Sequence, residues 1–179
     1  MSSTQPKPPK PSSIPYDFYV YRGELEDASL LEPLSPQRIK EAMKRFPDSL
    51  PSPDGYSVAG TTADGSGFQV RIVLENEDSG PCTTIVVRTG LETGRNGFET
   101  AGEIARHLAA ALDAKVFDPQ AHRRLGAASR TTSWDEALEE FERQRRAFRS
   151  LLPGSNDKQP HNGKPVPRWQ FWKKRPAGN

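Results

Sequence analysis

Asp118 and His122 are the two side chains of this sequence whose types and spacing best suit catalysis. They bracket the segment Asp118-Pro-Gln-Ala-His122, which follows a short apolar run. A carboxylate and an imidazole in one turn can act as general acid and base, or as two ligands of a metal ion. Cys82 is a third candidate, because a thiol beside a histidine can act as a nucleophile. These residues raise the hypothesis of a small hydrolase or transferase.

Each of these residues also has an ordinary structural interpretation, which the sequence favours. An aspartate that ends a strand commonly accepts hydrogen bonds from the backbone of the following turn. A cysteine at the head of an apolar strand commonly packs as a small apolar side chain. Asp118 and His122 have no third partner in the sequence, and a single cysteine can form neither an internal disulfide nor a thiolate cage. We therefore predict no metal and no other cofactor.

A second set of candidate residues lies in the segment 168–175, which combines large aromatic residues with cations. The predicted interaction residues there are Trp169, Phe171, Trp172, Lys173, Lys174 and Arg175. Tryptophan and arginine often dominate the binding energy of protein interfaces. The same residues suit a membrane surface, where the rings enter the interface and the cations attract anionic headgroups. The sequence leaves three alternatives open: a partner protein, a membrane, or a tail that folds back on its own domain or has no role.

The net charge of +2 conceals an uneven distribution. Residues 1–15 carry two lysines, and residues 153–179 carry six cations against one aspartate, which leaves 17 basic and 22 acidic residues in 16–152. A body with a net charge of −5 is poorly suited to nucleic acid, so we do not expect the folded part to bind it. The acidic body favours another protein as the partner, with faster encounter if that partner is basic.

The prolines indicate how the chain is organised. They are concentrated near both ends of the sequence. We expect residues 1–15 to be a disordered Pro-rich tail, residues 16–152 to form one domain, and residues 153–179 to be a disordered basic-aromatic tail. No window approaches the roughly 18 apolar residues of a membrane span, and the first residues have no apolar signal segment. Cytoplasm is the expected location.

Hydrophobic periodicity predicts five strands and three helices. Alternating apolar and polar residues predict strands over 16–23, 56–61, 68–75, 82–90 and 114–118. Spacings of three and four residues predict helices over 35–46, 99–114 and 132–152, with Ser35, Thr100 and Ser133 as their N-caps. The order β-α-β-β-β-α-β-α predicts a single two-layer α+β domain. Its sheet is antiparallel or mixed, with the helices on one face.

The face of the sheet away from the helices is then either solvated or a binding surface. Tyr19, Tyr21, Arg71 and Arg88 occupy polar-face positions of their strands, so we predict them to be interaction residues there. The favoured function is a non-enzymatic protein-interaction module of inhibitor, immunity or adaptor type, which acts by occlusion or tethering. The alternatives are the hydrolase or transferase using Asp118 and His122, and a peripheral membrane protein tethered by segment 168–175.

Overall fold

A computed structural model describes residues 14–61, 65, 67–76, 80–126 and 132–151. In this part of the chain, seven strands form one sheet and three helices pack on it. The strands are β1 (Pro15–Tyr21), β2 (Ser49–Ser52), β3 (Gly55–Thr61), β4 (Gly67–Asn76), β5 (Cys82–Gly90), β6 (Lys115–Asp118) and β7 (Arg123–Leu125). The helices are α1 (Pro36–Met43), α2 (Gly94–Leu112) and α3 (Thr132–Leu151). The predicted α+β class is confirmed.

Every pair of neighbouring strands in the sheet is antiparallel. The strand order is β2-β3-β4-β5-β1-β6-β7, so β2 to β5 form a meander and β1 lies between β5 and β6. The sequence did not predict β2 and β7, which are the two edge strands. Both strands are too short for a period-two pattern to be recognised. In addition, Pro51 within β2 argues against a strand in the sequence, but a proline is tolerated in an edge strand.

Two of the three predicted helices show how local and tertiary signals compete. Helix α1 begins as predicted: the Ser35 hydroxyl accepts a hydrogen bond from the Arg38 N–H at 3.4 Å, and Pro36 is the first helical residue. Helix α2, however, begins at Gly94, so the prediction of Thr100 as its N-cap is wrong. Gly94 has a φ of +70°, which permits the sharp entry, and a Cβ at Gly97 would collide with the Thr93 hydroxyl.

The hydrophobic core lies between the helices and one face of the sheet. Tyr16 and Phe18 of β1 are fully buried there. The Tyr16 ring meets the Phe141 ring edge-on, with centroids 5.3 Å apart, and Phe18 lies 5.3 Å from the Trp134 ring. Other core side chains of the sheet alternate in the same way: Val20, Val70, Ile72, Ile85, Val87 and Val116. The prediction that the helices share one face is confirmed.

Helix α3 runs antiparallel to β1 across this core. Trp134 near its start contacts Phe18, Phe141 in its middle contacts Tyr16, and Arg145 farther on approaches Gly94 at the start of α2. Because β1 runs from Pro15 towards Tyr21, α3 ends near the strand ends at which β1 starts and β5 stops. This direction determines where Leu151, the last described residue, lies.

The Phe141→Ala substitution tests whether α3 is part of the core. Phe141 is fully buried among aromatic rings, so its removal should lower the free energy of unfolding by about 3–5 kcal/mol. Leu151→Ala in the same helix is the control: Leu151 is 77% exposed, and its loss should change stability by less than about 0.5 kcal/mol. Urea denaturation followed by circular dichroism measures both, and equal effects would contradict this packing.

Candidate functional site

Asp118 is fully buried at the end of β6. Its Oδ1 accepts hydrogen bonds from the N–H groups of Gln120 and Ala121 at 2.9 and 3.0 Å, so it closes the turn that follows the strand. Its Oδ2 lies 2.7 Å from the Tyr16 hydroxyl. Both oxygens are therefore engaged by the protein itself, as the structural interpretation of this aspartate predicts.

The Tyr16 hydroxyl lies between two acceptors. Besides Asp118 Oδ2, the carbonyl oxygen of Ala137 in α3 is 3.1 Å away. A hydroxyl has one proton, so an ionised Asp118 and the Ala137 carbonyl compete for it. A protonated Asp118 can donate to the Tyr16 oxygen, which leaves the Tyr16 proton for Ala137. Burial raises the pKa of Asp118 despite the lowering effect of its hydrogen bonds, and burial also raises the pKa of Tyr16.

His122 is exposed and does not share this environment. It lies in the turn between β6 and β7 with a φ of +48°, a left-handed conformation that is uncommon for residues other than glycine. A groove of about 820 Å³ runs beside this turn and along α3, and neither Asp118 nor His122 lines it. The Asp118 carboxyl faces Tyr16 instead of a cavity. The acid–base pairing of Asp118 with His122 stays a prediction.

Cys82 lies at the opposite end of the sheet from Asp118. It precedes Thr84, which pairs with Tyr21, whereas Asp118 follows Phe117, which pairs with Tyr19. The two positions are about five residues apart along the strand direction, or roughly 16 Å. Cys82 is buried, and burial raises the pKa of its thiol to about 11, which keeps it protonated near neutral pH. Cys82 therefore cannot act together with Asp118.

Within the described ranges, no cluster of three or more histidine, cysteine, aspartate or glutamate side chains is placed to hold a metal ion.

The helix-free side of the sheet, which we call the open face, carries a row of apolar side chains. Val73 pairs with Val86, Val86 with Tyr19, and Tyr19 with Phe117, so the row crosses four neighbouring strands. Val86 is buried, whereas Val73, Tyr19 and Phe117 are half-buried. We call these four residues the apolar row. Burial, followed by the negative charge of Asp17, raises the pKa of Tyr19.

Arg71 and Arg88 lie side by side next to the apolar row, directly opposite each other on β4 and β5. Each is held by a carboxylate. Arg88 donates from Nε and Nη2 to the two oxygens of Asp17, both at 2.8 Å, and Arg71 Nη2 lies 2.7 Å from Asp54 Oδ2. The hydrogen bond to Asp17 is the largest contribution to the raised pKa of Arg88. These ion pairs offset the repulsion between two facing cations.

The prediction that Tyr21 is exposed is wrong. Tyr21 is on the open face by its alternation in β1, but only 1% of its surface is accessible. It lies in the central strand between Thr84 and Lys115. The Arg124 guanidinium also approaches the Tyr21 hydroxyl, and the resulting interaction contributes to the raised pKa of Arg124. Tyr19, Arg71 and Arg88 keep accessible surface, so three of the four predicted residues remain available for contact.

A groove of about 710 Å³ opens between the two arginines and the ends of β1, β3, β4 and β5. We call it the end groove. Its lining includes Arg71, Arg88 and Gln69 from the open face, and Phe68, Gly90 and Glu92 from the sheet edge. The Phe68 ring lies over Gly60, where a Cβ would collide with it, so a flat apolar surface forms one wall. The groove therefore joins arginine, aromatic and carboxylate groups.

The sequence did not single out Phe117, Val73 and Val86, which complete the apolar row. Each occupies an alternate position of a strand that was predicted correctly. The missing signal was the pairing of β1 with both β5 and β6, which connects residues roughly 70 to 100 positions apart. A single sequence gives no access to such pairing.

The six interaction residues of segment 168–175 lie outside the described residues, so their role stays a prediction. They are Trp169, Phe171, Trp172, Lys173, Lys174 and Arg175. Within the described part of the chain, none of the helices has the length and apolar character needed to cross a membrane.

The chain matches no known family model, no curated protein and no solved structure in the three comparisons made.

The Asp118→Asn substitution tests the state of the buried carboxyl. Because folding raises the pKa of Asp118, the stabilisation from its acid form is complete below the unfolded pKa of about 3.9 and is lost as pH rises through the folded value. Asparagine provides a donor and an acceptor at every pH. The difference in unfolding free energy between the wild type and this variant should therefore favour the wild type most at acidic pH and should fall as pH rises. Urea denaturation at a series of pH values measures this difference.

Asp54→Asn is the matched control with the opposite sign. A hydrogen bond from the Ser52 hydroxyl, with help from Arg71, lowers the pKa of Asp54. A lowered pKa gives stabilisation that is present above the unfolded value and lost as pH falls. The two variants should thus show opposite pH trends relative to the wild type. A shared trend would contradict the account of Asp118.

Proposed function

We propose that this protein is a non-enzymatic protein-interaction module that binds a partner protein through the open face. The observation that carries the proposal is the apolar row, which is half-accessible and bordered by arginine–carboxylate pairs. Protein interfaces commonly have an apolar centre enriched in aromatic residues and a polar rim in which arginine is frequent. The open face has this arrangement in Tyr19 and Phe117 at the centre and Arg71 and Arg88 beside them.

The dimensions of the open face suit a protein partner. The apolar row spans four strands, which corresponds to about 14 Å, and the full sheet of seven strands to about 29 Å. An interface of standard size takes about 800 Å² from each partner, a patch of roughly 28 Å on a side. A regular antiparallel sheet can offer such a patch with little rearrangement.

The charges of the open face favour protein over nucleic acid. Arg71, Arg88 and Lys115 each have a carboxylate within ion-pair distance in the described structure: Asp54, Asp17 and Glu24. A phosphate backbone is bound by cations that exchange salt ions for phosphate, and cations already paired within the protein serve this poorly. A partner with its own apolar centre gains more from this surface.

The mechanism that fits is occlusion or tethering. The Asp118 carboxyl is enclosed by the protein and the Cys82 thiol is buried and protonated, so neither supports a turnover role for this face. Binding through a broad sheet face can block a partner's functional surface, as an inhibitor or immunity protein does, or hold it in place, as an adaptor does.

Site-specific cross-linking tests the location of the partner. A photoreactive phenylalanine in place of Phe117 lies within the apolar row, and the same group in place of Lys40 lies on the exposed side of α1. In cells of the source organism, the Phe117 position should give one dominant cross-linked protein that is absent at the Lys40 position. Cross-links from Lys40 alone, or from neither position, would contradict binding through the open face.

Tyr19→Ala tests the energetic centre once the cross-linked partner has been purified. Loss of a central aromatic residue commonly costs 2 kcal/mol or more, so the dissociation constant should rise about thirtyfold by calorimetry. His122→Ala is the control: it is exposed in the β6–β7 turn and should leave binding and the partner's response unchanged. Loss of function with His122→Ala and not with Tyr19→Ala would favour the acid–base hypothesis instead.

A further inference from the structure

We propose that segment 168–175 docks in cis on the open face at the end groove and covers part of the surface that the partner uses. The docking itself depends on the described groove and on the sequence of the tail. Its regulatory meaning rests on the function proposed above. Four observations support it: the direction of α3, the reach of the intervening chain, the charges, and the chemistry of the groove wall.

The direction of α3 delivers the tail to the end groove. Phe148, in the last turn of α3, is still buried at 9% exposure, so the helix stays packed on the domain almost to Leu151. Arg145 lies against Gly94, immediately after the turn Leu91–Thr93. Glu92 and Thr93 of that turn line the end groove. The last described residue, Leu151, is therefore close to the strand ends at which the groove opens, and residues 152–179 follow it in the sequence.

The intervening chain is long enough to reach the open face. Sixteen residues, 152–167, separate Leu151 from segment 168–175. Such a chain spans at most about 55 Å when extended and roughly 20 Å as a coil. The coil distance is comparable to the half-width of the sheet. A tether of this length gives an effective concentration on the order of millimolar, so weak contacts are sufficient for docking.

The charges of the tail and of the groove are complementary. The net charge of residues 153–179 is +5, and that of residues 16–152 is −5. Glu92 lines the end groove, and Asp17 and Asp54 bind the two arginines of its lining, so three carboxylates accompany the guanidinium groups of Arg71 and Arg88. Glu75 lies farther along the same face, and its charge contributes to the raised pKa of both Arg88 and Tyr19. A local excess of negative charge suits Lys173, Lys174 and Arg175.

The aromatic residues of the tail have matching surfaces on the groove wall. Asp17 holds the Arg88 guanidinium by two parallel hydrogen bonds, and Asp54 holds that of Arg71. A guanidinium fixed at its edge still presents its flat face, on which tryptophan stacks well. Phe68, which is partly buried against the core, adds an apolar surface in the groove lining, and Tyr19 lies farther along the open face, outside that lining. Trp169, Phe171 and Trp172 can cover these surfaces while the adjacent cations meet the carboxylates.

Docking would lower the apparent affinity for the partner. If about nine molecules in ten hold the docked tail, only the remaining tenth is competent to bind, and the apparent dissociation constant rises about tenfold. The tail would then act as an internal competitor that the partner has to displace. Once displaced from the groove, the aromatic and cationic residues of segment 168–175 would be available to bind a protein or a membrane.

Nuclear magnetic resonance of the full 179-residue chain tests the docking without any partner. The double variant Lys173→Glu/Lys174→Glu reverses two charges inside the segment, and Lys158→Glu/Lys164→Glu makes the same change in net charge outside it. The first variant should shift the Nε–H signals of Arg71 and Arg88 and the indole signals of Trp169 and Trp172, and the second should leave them in place. The Trp134 indole is an internal reference, because it donates to the Gly126 carbonyl at 2.7 Å.

Several results would overturn the proposal. One is that both double variants give the same spectrum at Arg71 and Arg88. A second is that the shifts map to the groove along α3, and a third is that they grow with protein concentration, which would indicate a second copy. A fourth is that the indole signals respond only to added anionic lipid vesicles, which would indicate membrane attachment.

The partner assay separates this inference from the proposed function. With the partner in hand, Lys173→Glu/Lys174→Glu should bind about tenfold more tightly than the wild type, and Lys158→Glu/Lys164→Glu should not differ from it. If the spectra shift as expected but no protein cross-links at Phe117, the docking is upheld and the proposed function is refuted. If a protein cross-links at Phe117 but the spectra of the two double variants are the same, the proposed function is upheld and the docking is refuted.

Discussion

The Tyr16 hydroxyl makes the contact on which the arrangement of this domain depends. It joins the central strand β1 to two parts of the chain that lie more than 100 residues farther along the sequence: the end of β6 at Asp118, and the carbonyl of Ala137 in α3. Tyr16 and Asp118 are fully buried, so the Tyr16 hydroxyl and Asp118 Oδ2 would lose hydrogen-bond partners if these elements moved apart. The contact therefore helps to fix the position of α3 over the sheet, and with it that of Leu151, the last described residue.

This contact also explains why one face of the sheet is left open. Helix α3 and helix α2 close over the side that carries Tyr16 and Phe18, and the aromatic rings of Phe98 and Phe141 fill the space between them. A central strand has two faces, and its alternate residue Tyr19 therefore points away from the helices. The same strand supplies the most buried residues of the core and the centre of the open face.

The sequence predicted the parts of this structure that depend on local patterns. The alternation in β4 and the Ser35–Pro36 helix start are examples, because neighbouring residues carry the whole signal. The start of α2 at Gly94 could not be predicted, since it depends on close packing of Gly97 against Thr93. The apolar row and the burial of Tyr21 depend on strand pairing across long separations. The location of Asp118 at a turn was foreseen, but its bond to Tyr16 was not.

The facing arginines define what the open face can recognise. Two cations in directly opposite positions repel each other, and Asp17 and Asp54 offset this by binding each from its outer side. The carboxylates reduce the charge of the surface and fix the guanidinium planes, which suits the stacking of aromatic rings that we propose. Segment 168–175 brings both rings and charge to such a surface. Under the proposed docking, a partner that displaces it would have to provide a larger apolar contact with Tyr19 and Phe117.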